Sequence, residues 1–332
     1  MSLMEERTAG VTDDPGPEGA GLLEDPAGGS PRVSIGLPVY NGGRLMIEAI
    51  DAILAQTFTD FELIISDNAS QDGTPEICRE LVARDSRVRY YRNPTNIGAV
   101  GNHNRLVELA RGEYFKWTGH DDLIEPTFLE KCVGVLDADT DGRYVLCFTK
   151  LDYIDDDGEP MPGGIQAPVF ADDRPSRRLR SFWSAQRMHQ VQYGVIRRDR
   201  LVRTALEGEW YGSDRQLLME LALLGGFARV DEVLFHHREH RGRSEFVRDK
   251  SGWMSTARSG SLDMGYWRRI ALVSEILERD YLTPRERRAV LREYLRYAAV
   301  RATHWIPQLS RELAGAAARG VATVTKGPAR VQ

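Results

Sequence analysis

Apolar and polar positions along the chain fall into two regimes. Through residues 1–31, Gly, Pro, Asp and Glu follow one another without an apolar period. Such a stretch cannot bury enough surface to offset the entropy of ordering it, and a disordered leader is expected. From Arg32 the pattern changes. Val33 to Val39 is a short apolar run ended by Pro38, Asn41, Gly42 and Gly43, after which Met46, Ile50, Ile53 and Leu54 recur at helical spacing. Phe61 to Ser66 repeats the buried-strand pattern, Thr74 and Pro75 open a second helix, and Val88 to Arg92 reads as a third strand. A helix with Val100, Leu106, Val107 and Ala110 ends at Gly112 and gives way to a strand from Glu113 to Thr118. Another helix, bearing Phe128, Leu129, Cys132, Val133 and Leu136, leads to a strand over Tyr144 to Thr149. This alternation predicts an α/β fold with a mostly parallel central sheet flanked by helices.

The later pattern is less regular. Asp155-Asp156-Asp157-Gly158 follows an alternating run and reads as a hairpin turn rather than a metal site. Ser213 and Asp214 stand before a helix in which Leu217, Leu218, Leu221 and Leu224 face one way and which Gly225 ends. Phe235 to His240 carries three histidines after an apparent strand. Apolar spacing then predicts a helix from Met264 to Leu282, and Thr283 to Glu286 reads as a capping box opening a second one. The divisions expected are 32–150, 151–250 and a helical appendage over 260–332.

Composition narrows the classes. A chain of 332 residues, 42% hydrophobic and 28% charged, can bury a sizeable core. A formal net charge of -5 weighs against a nucleic-acid binder. Cys78, Cys132 and Cys147 sit in apolar patterns as small hydrophobes, which suits a reducing compartment. No run approaches the roughly 18 apolar residues of a membrane span, and the start lacks a signal-peptide layout. A cytoplasmic protein is expected. The arginines of the last helices, among them Arg285, Arg288, Arg292 and Arg296, alternate with apolar residues and suit peripheral contact with an anionic membrane.

Polar motifs gather where the strands end, which is where open α/β sheets bind ligands. They are Pro38-Val39-Tyr40-Asn41-Gly42, Asp67-Asn68-Ala69-Ser70-Gln71-Asp72-Gly73-Thr74, Asn96-Ile97-Gly98 and Gly119-His120-Asp121-Asp122. Neither a dinucleotide-binding Gly-x-Gly-x-x-Gly nor a phosphate loop is present. Two adjacent carboxylates in a partly desolvated site call for a cation or a shifted pKa, so a diphosphate here would be bridged by a metal at Asp121 and Asp122.

In order and spacing these motifs resemble family 2 glycosyltransferases of the GT-A fold, over roughly residues 32–245. The resemblance implies inverting transfer from a nucleotide-diphosphate sugar, a UDP-sugar above all, to a hydroxyl on a polysaccharide, a lipid-linked or a small-molecule acceptor. It assigns Pro38, Tyr40, Asn41, Asp67, Asn68, Asp72, Asn96, Gly98, His120 and Asp121 to the nucleotide sugar. Mg²⁺ or Mn²⁺ would sit on Asp121, Asp122 and His240, with His237 second to His240 as the histidine that reaches the metal or diphosphate, and the arginine of Arg238-x-His240 would pair with phosphate. Asp214 would deprotonate the acceptor, and a homo-oligomer is compatible with the resemblance. One departure is plain. The family's commonest form has an acid two positions before the first Asp of the pair, and here that position is Gly119. Two other classes stay open: a nucleotidyltransferase, for which the loop at Asn41 to Arg44 is short and weakly basic, and a non-catalytic sugar-nucleotide binder.

Overall fold

The computed structural model describes residues 29–165, 167–185, 189–209, 213–239, 278–300 and 310. The expected leader lies outside them up to residue 28, as do His240 and most of the helix expected from Met264.

The run Val33–Val39 is strand β1, buried almost throughout. Met46, Ala49, Ile50 and Ile53, three and four residues apart, form the buried stripe of helix α1 (Gly43–Leu54). The alternation continues through β2 (Phe61–Asp67), α2 (Thr74–Arg84), β3 (Val88–Arg92), α3 (Gly98–Leu109) and β4 (Tyr114–Trp117). Strand β1 pairs in parallel with β2 on one side and β4 on the other, and β2 pairs in parallel with β3. The order β3-β2-β1-β4 therefore changes direction between β1 and β4. A ligand crevice forms outside the carboxyl ends at such a switch point. Tyr40 and Asn41 leave β1 there, and Gly119 to Asp122 follow β4.

The remaining elements are β5 (Leu123–Ile124), α4 (Phe128–Ala138), β6 (Tyr144–Ile154), β7 (Pro160–Ile165), α5 (Pro175–Ser184), β8 (Val195–Arg197), α6 (Arg198–Leu201), α7 (Ser213–Leu224) and β9 (Gly226–Arg238). Strand β8 runs antiparallel to β4 and β6, whereas β9 is parallel to β6 and antiparallel to β5. The parallel regularity thus belongs to the first four strands. Beyond them the sheet is mixed: β6 and β7 form a hairpin, and the other antiparallel pairs join strands far apart in the chain. The β6–β7 turn is the hairpin expected at Asp155 to Gly158: Asp155 Oδ1 accepts the N–H groups of Asp157 at 3.0 Å and Glu159 at 2.9 Å, and Gly158 has φ +85°.

Helix α7 differs from its expected one-sided pattern. Gln216 and Glu220 are buried along with its leucines, since α5, β6 and β9 all pack around it. Its carboxyl end is closed by a buried arginine: Arg178 donates from Nε to Ala222 O at 2.6 Å and from a terminal nitrogen to Leu223 O at 2.9 Å, satisfying carbonyls that a helix end leaves without partners. The helix over 284–300 opens with the expected capping box, Thr283 N donating to Glu286 Oε2 at 2.9 Å. It docks on α5, where Trp183 stacks on Tyr297 with ring centres 4.7 Å apart. The three cysteines are buried and unbridged. Among the described residues no helix is long and apolar enough to cross a membrane.

Candidate functional site

Three loops at the carboxyl ends of β1, β2 and β3 are tied into one rim. Asn41, held at φ +56°, donates its N–H to Ser70 Oγ at 2.9 Å and accepts Gln71 N–H on Oδ1 at 2.9 Å. Gly42 N–H reaches Thr74 Oγ1 at 3.0 Å, while Asp72 Oδ1 accepts Thr74 N–H at 3.0 Å. Asn68 joins the second loop to the third: its Nδ2 donates to Asn96 Oδ1 at 2.8 Å and its Oδ1 accepts from Ile97 N–H at 2.9 Å and Asn93 Nδ2 at 3.1 Å. Asn96 Oδ1 also receives Gly98 N–H at 2.9 Å, and Gly98 turns the chain into α3 at φ +81°, where a side chain would be strained. Behind this rim Asn102 bonds Ser66 and Asn93.

Asp67 is fully buried. Its Oδ1 accepts Ser70 N–H at 2.8 Å and its Oδ2 accepts the Tyr90 hydroxyl at 2.7 Å. Burial and this carboxylate together push the Tyr90 phenol well above its usual range. Asp67, Asn68 and Asn96 are thus the braces of the rim, whereas Pro38 is half-buried and Tyr40, 45% exposed, offers its ring at the mouth.

The acidic loop after β4 folds both carboxylates back over Gly119. A Cβ at that position would lie 2.7 Å from Asp122 Oδ2 and 2.8 Å from Asp121 Oδ1, closer than side-chain contacts allow. The missing acid at 119 therefore has a local reason: the space it would fill is where the two carboxylate oxygens converge. Asp122 is buried, and its other oxygen accepts His237 Nδ1 at 2.7 Å and Arg238 N–H at 3.1 Å.

Arg238, expected to pair with phosphate, is fully buried and occupied inside the protein. It donates from Nε to Asp121 O at 2.9 Å, to the carbonyls of Asp155 and Asp156 at 3.1 Å and 2.9 Å, and to Glu48 Oε2 at 2.8 Å. One guanidinium thereby fastens the acidic loop, the β6–β7 hairpin and α1 together. His236 lies between Asp152 Oδ1 at 2.5 Å and Glu125 Oε1 at 2.9 Å. Burial alone would lower its pKa, but the bonds to Asp152 and Glu125 outweigh that and raise it.

Beneath the loop lies Lys116, which reasoning from the sequence missed. Its ammonium donates to Tyr193 O at 2.6 Å and Trp117 O at 3.1 Å and sits over the rings of Phe128 and Phe235. Burial pulls its pKa down to about 7, with Cys132 and Asp122 acting against the fall. A lysine inside the wholly buried strand sequence Tyr-Phe-Lys-Trp is the signal that could have exposed it. Tyr193 stacks on Phe235, with ring centres 5.7 Å apart, and its phenol is pushed up by burial and by Asp122 and Asp121.

His120 is half-buried in the acidic loop, and Asp214 is half-buried in the first turn of α7. His240 lies outside the described residues. Among the described residues no group of three or more His, Cys, Asp or Glu forms a metal cage. Magnesium is commonly held by one or two carboxylates with substrate phosphates completing the shell, and the convergence of Asp121 and Asp122 over Gly119 fits such a partial set.

Comparison with known proteins agrees with this geometry. The sequence model described as glycosyl transferase family 2 matches residues 34–182. An uncharacterized glycosyltransferase of Rickettsia typhi is 36% identical over 126 residues, 38% of this chain and 38% of its own length. The chondroitin synthase of Escherichia coli is 27% identical over 210 residues, 63% of this chain and 29% of that one. The chain thus spans well under half the length of these curated relatives. Among solved structures, S. aureus TarS 1-349 in complex with UDP-GlcNAc has a TM-score of 0.59 at 18% identity, covering 80% of this chain and 72% of that one. The mannosyltransferase PcManGT from Pyrobaculum calidifontis, in complex with GDP-Man and Mn2+, has a TM-score of 0.50 at 19% identity, covering 87% and 76%. At these identities the structural likeness speaks for the fold. Motif order, loop geometry and the model match together identify residues 34–182 with glycosyl transferase family 2, and the fold is of the α/β GT-A type.

Proposed function

We propose that the protein is a metal-dependent, inverting glycosyltransferase that moves a sugar from a nucleotide diphosphate, UDP first, to an acceptor hydroxyl. The observation that carries the reading is the convergence of Asp121 and Asp122 over Gly119 at the β1–β4 switch point, beside the braced loop of Asn41. Tyr40 would cover the base, Asn41, Asp67, Asn68, Asp72, Asn96 and Gly98 would shape its pocket, and His120 and Asp121 would face the diphosphate. Asp121 and Asp122, with His240 as a further donor, would hold Mg²⁺ or Mn²⁺, which when bound neutralises charge on the departing diphosphate. Asp214 takes the proton of the acceptor hydroxyl. The hydroxyl oxygen bonds the anomeric carbon as the bond from that carbon to the phosphate oxygen breaks, and a single displacement inverts the centre. Support for the donor class comes from the neighbours solved with UDP-GlcNAc and with GDP-Man and Mn2+.

We place the protein in the cytoplasm with peripheral membrane contact. On the helix over 284–300 the exposed face carries Leu291, Leu295 and Val300 beside Arg285, Arg288, Arg292 and Arg296, a pattern that suits an anionic lipid surface. Co-sedimentation with phosphatidylglycerol vesicles but not phosphatidylcholine vesicles is expected, and equal sedimentation with both contradicts it.

The test of the reaction is incubation with a panel of UDP-, GDP- and dTDP-sugars and hydroxyl acceptors, with the anomeric configuration of donor and product compared by NMR. The reading expects one donor to be consumed with inversion in a chelator-sensitive reaction. Retention, or turnover unaffected by chelator, contradicts it.

A further inference from the structure

The amino ends of the parallel strands carry a second polar cleft that the transfer reaction does not use. It encloses about 570 Å³, a ligand-sized volume, and Arg32, Arg111, Arg197, Arg198 and Arg200 line it against two carboxylates, Glu113 and Asp199. Three of the arginines are held from behind. Arg32 bonds Glu113 at 3.0 Å and Asp137 at 2.7 Å, Arg111 bonds Glu62 at 3.1 Å, and Arg197 bonds the carbonyls of Tyr144 at 2.9 Å and Leu136 at 2.6 Å. The other two are not so held. The Nε atoms of Arg198 and Arg200 are buried and meet no acceptor among the described residues. Asp199 Oδ2, 3.3 Å from Arg200 Nε, is out of line for a hydrogen bond. Neither side chain is wholly buried, so guanidinium forks with no hydrogen bond among the described residues face a cleft where an anion can reach their terminal nitrogens.

We propose that this cleft is a second anion site, taking a ligand with two or more linked phosphoryl groups. Guanidinium forks match phosphate oxygens in pairs, and a cleft of this size with several of them exceeds what one phosphate fills. The site is separate from the reaction centre. Arg32 stands just before Val33, where β1 begins, and the six steps to Val39 span roughly 20 Å at the usual rise of a strand. Because Glu113 and Arg198 are also joined through the backbone, Arg198 N–H to Glu113 O at 3.0 Å, a ligand there grips the start of β4, the strand that leads to the acidic pair.

The test is calorimetric titration of the full chain with pyrophosphate and with tripolyphosphate, without divalent metal and with saturating UDP to fill the nucleotide cleft. The native protein is expected to bind both probes and the Asp121→Ala variant to bind them equally. Binding should weaken tenfold or more in the Arg198→Gln, Arg200→Gln double variant, whose thermal midpoint and probe-free transferase rate stay unchanged. Should the double variant fail to fold, Arg198→Gln alone carries the test with a smaller loss in the same direction. No binding in the presence of UDP, or equal binding by native and variant proteins, overturns the proposal.

Discussion

Gly119 and Lys116 are two residues near the acidic pair whose surroundings constrain them closely. Replacing Gly119 by Ala puts a Cβ where Asp121 and Asp122 converge, so the carboxylates must move apart. The expected result for Gly119→Ala is a folded protein needing about tenfold or more metal for half-maximal activity, the usual scale for disturbing the groups that orient a metal ligand. A metal titration of activity checks it. Lys116 concerns stability. Its folded pKa, lowered to about 7 by burial, lies below its unfolded value of about 10.4, so between those values the unfolded state binds more protons and stability rises with pH. Lys116→Met removes that group. Urea denaturation between pH 6 and about 10 should show the native protein gaining on the variant as pH rises, and a constant difference would contradict the assignment.

At the scale of elements, β9 is what joins the two halves of the site. Arg238 ties it to the acidic loop, the β6–β7 hairpin and α1, so Arg238→Met leaves Glu48 and three carbonyls without that donor. A loss of about 2 kcal/mol is expected in urea denaturation, the scale for taking a charged donor from buried carbonyls, since Glu48 is partly exposed and keeps Arg44 as a partner. His236 adds a pH-dependent clasp, holding Glu125 beside β5 and Asp152 on β6. Its pKa is raised in the folded protein, so its contribution is fully present below about 6.5 and is lost as pH rises through the folded value. The stability difference between the native protein and His236→Gln should therefore shrink on going from pH 6 to 8. A difference independent of pH would contradict the clasp. These ties also mark what the sequence could disclose. Strands β1 to β4, the hairpin from Asp155 to Gly158 and the capping box at Thr283 are legible, because periodicity and turn chemistry act over a few residues. That Arg238 would turn inward to Asp121 O, or that α7 would be buried on all sides, depends on pairings between residues far apart in the chain, which no local pattern encodes.

Across the whole molecule, the family match ends at residue 182, yet the acidic pair is held by His237 and Arg238 from β9. The motifs of the first half are thus completed by the second half. The two polar clefts lie at opposite ends of the parallel strands, and β1 and β4 run between them. The central claim is that Asp121 lies where the diphosphate of a nucleotide sugar binds with a divalent cation. The most direct measurement is calorimetric titration with UDP, with and without Mn²⁺, of the native protein and of Asp121→Ala. The result expected is UDP binding that Mn²⁺ strengthens in the native protein and leaves unchanged in Asp121→Ala. Equal strengthening by Mn²⁺ in both proteins, or no UDP binding by either, would contradict it.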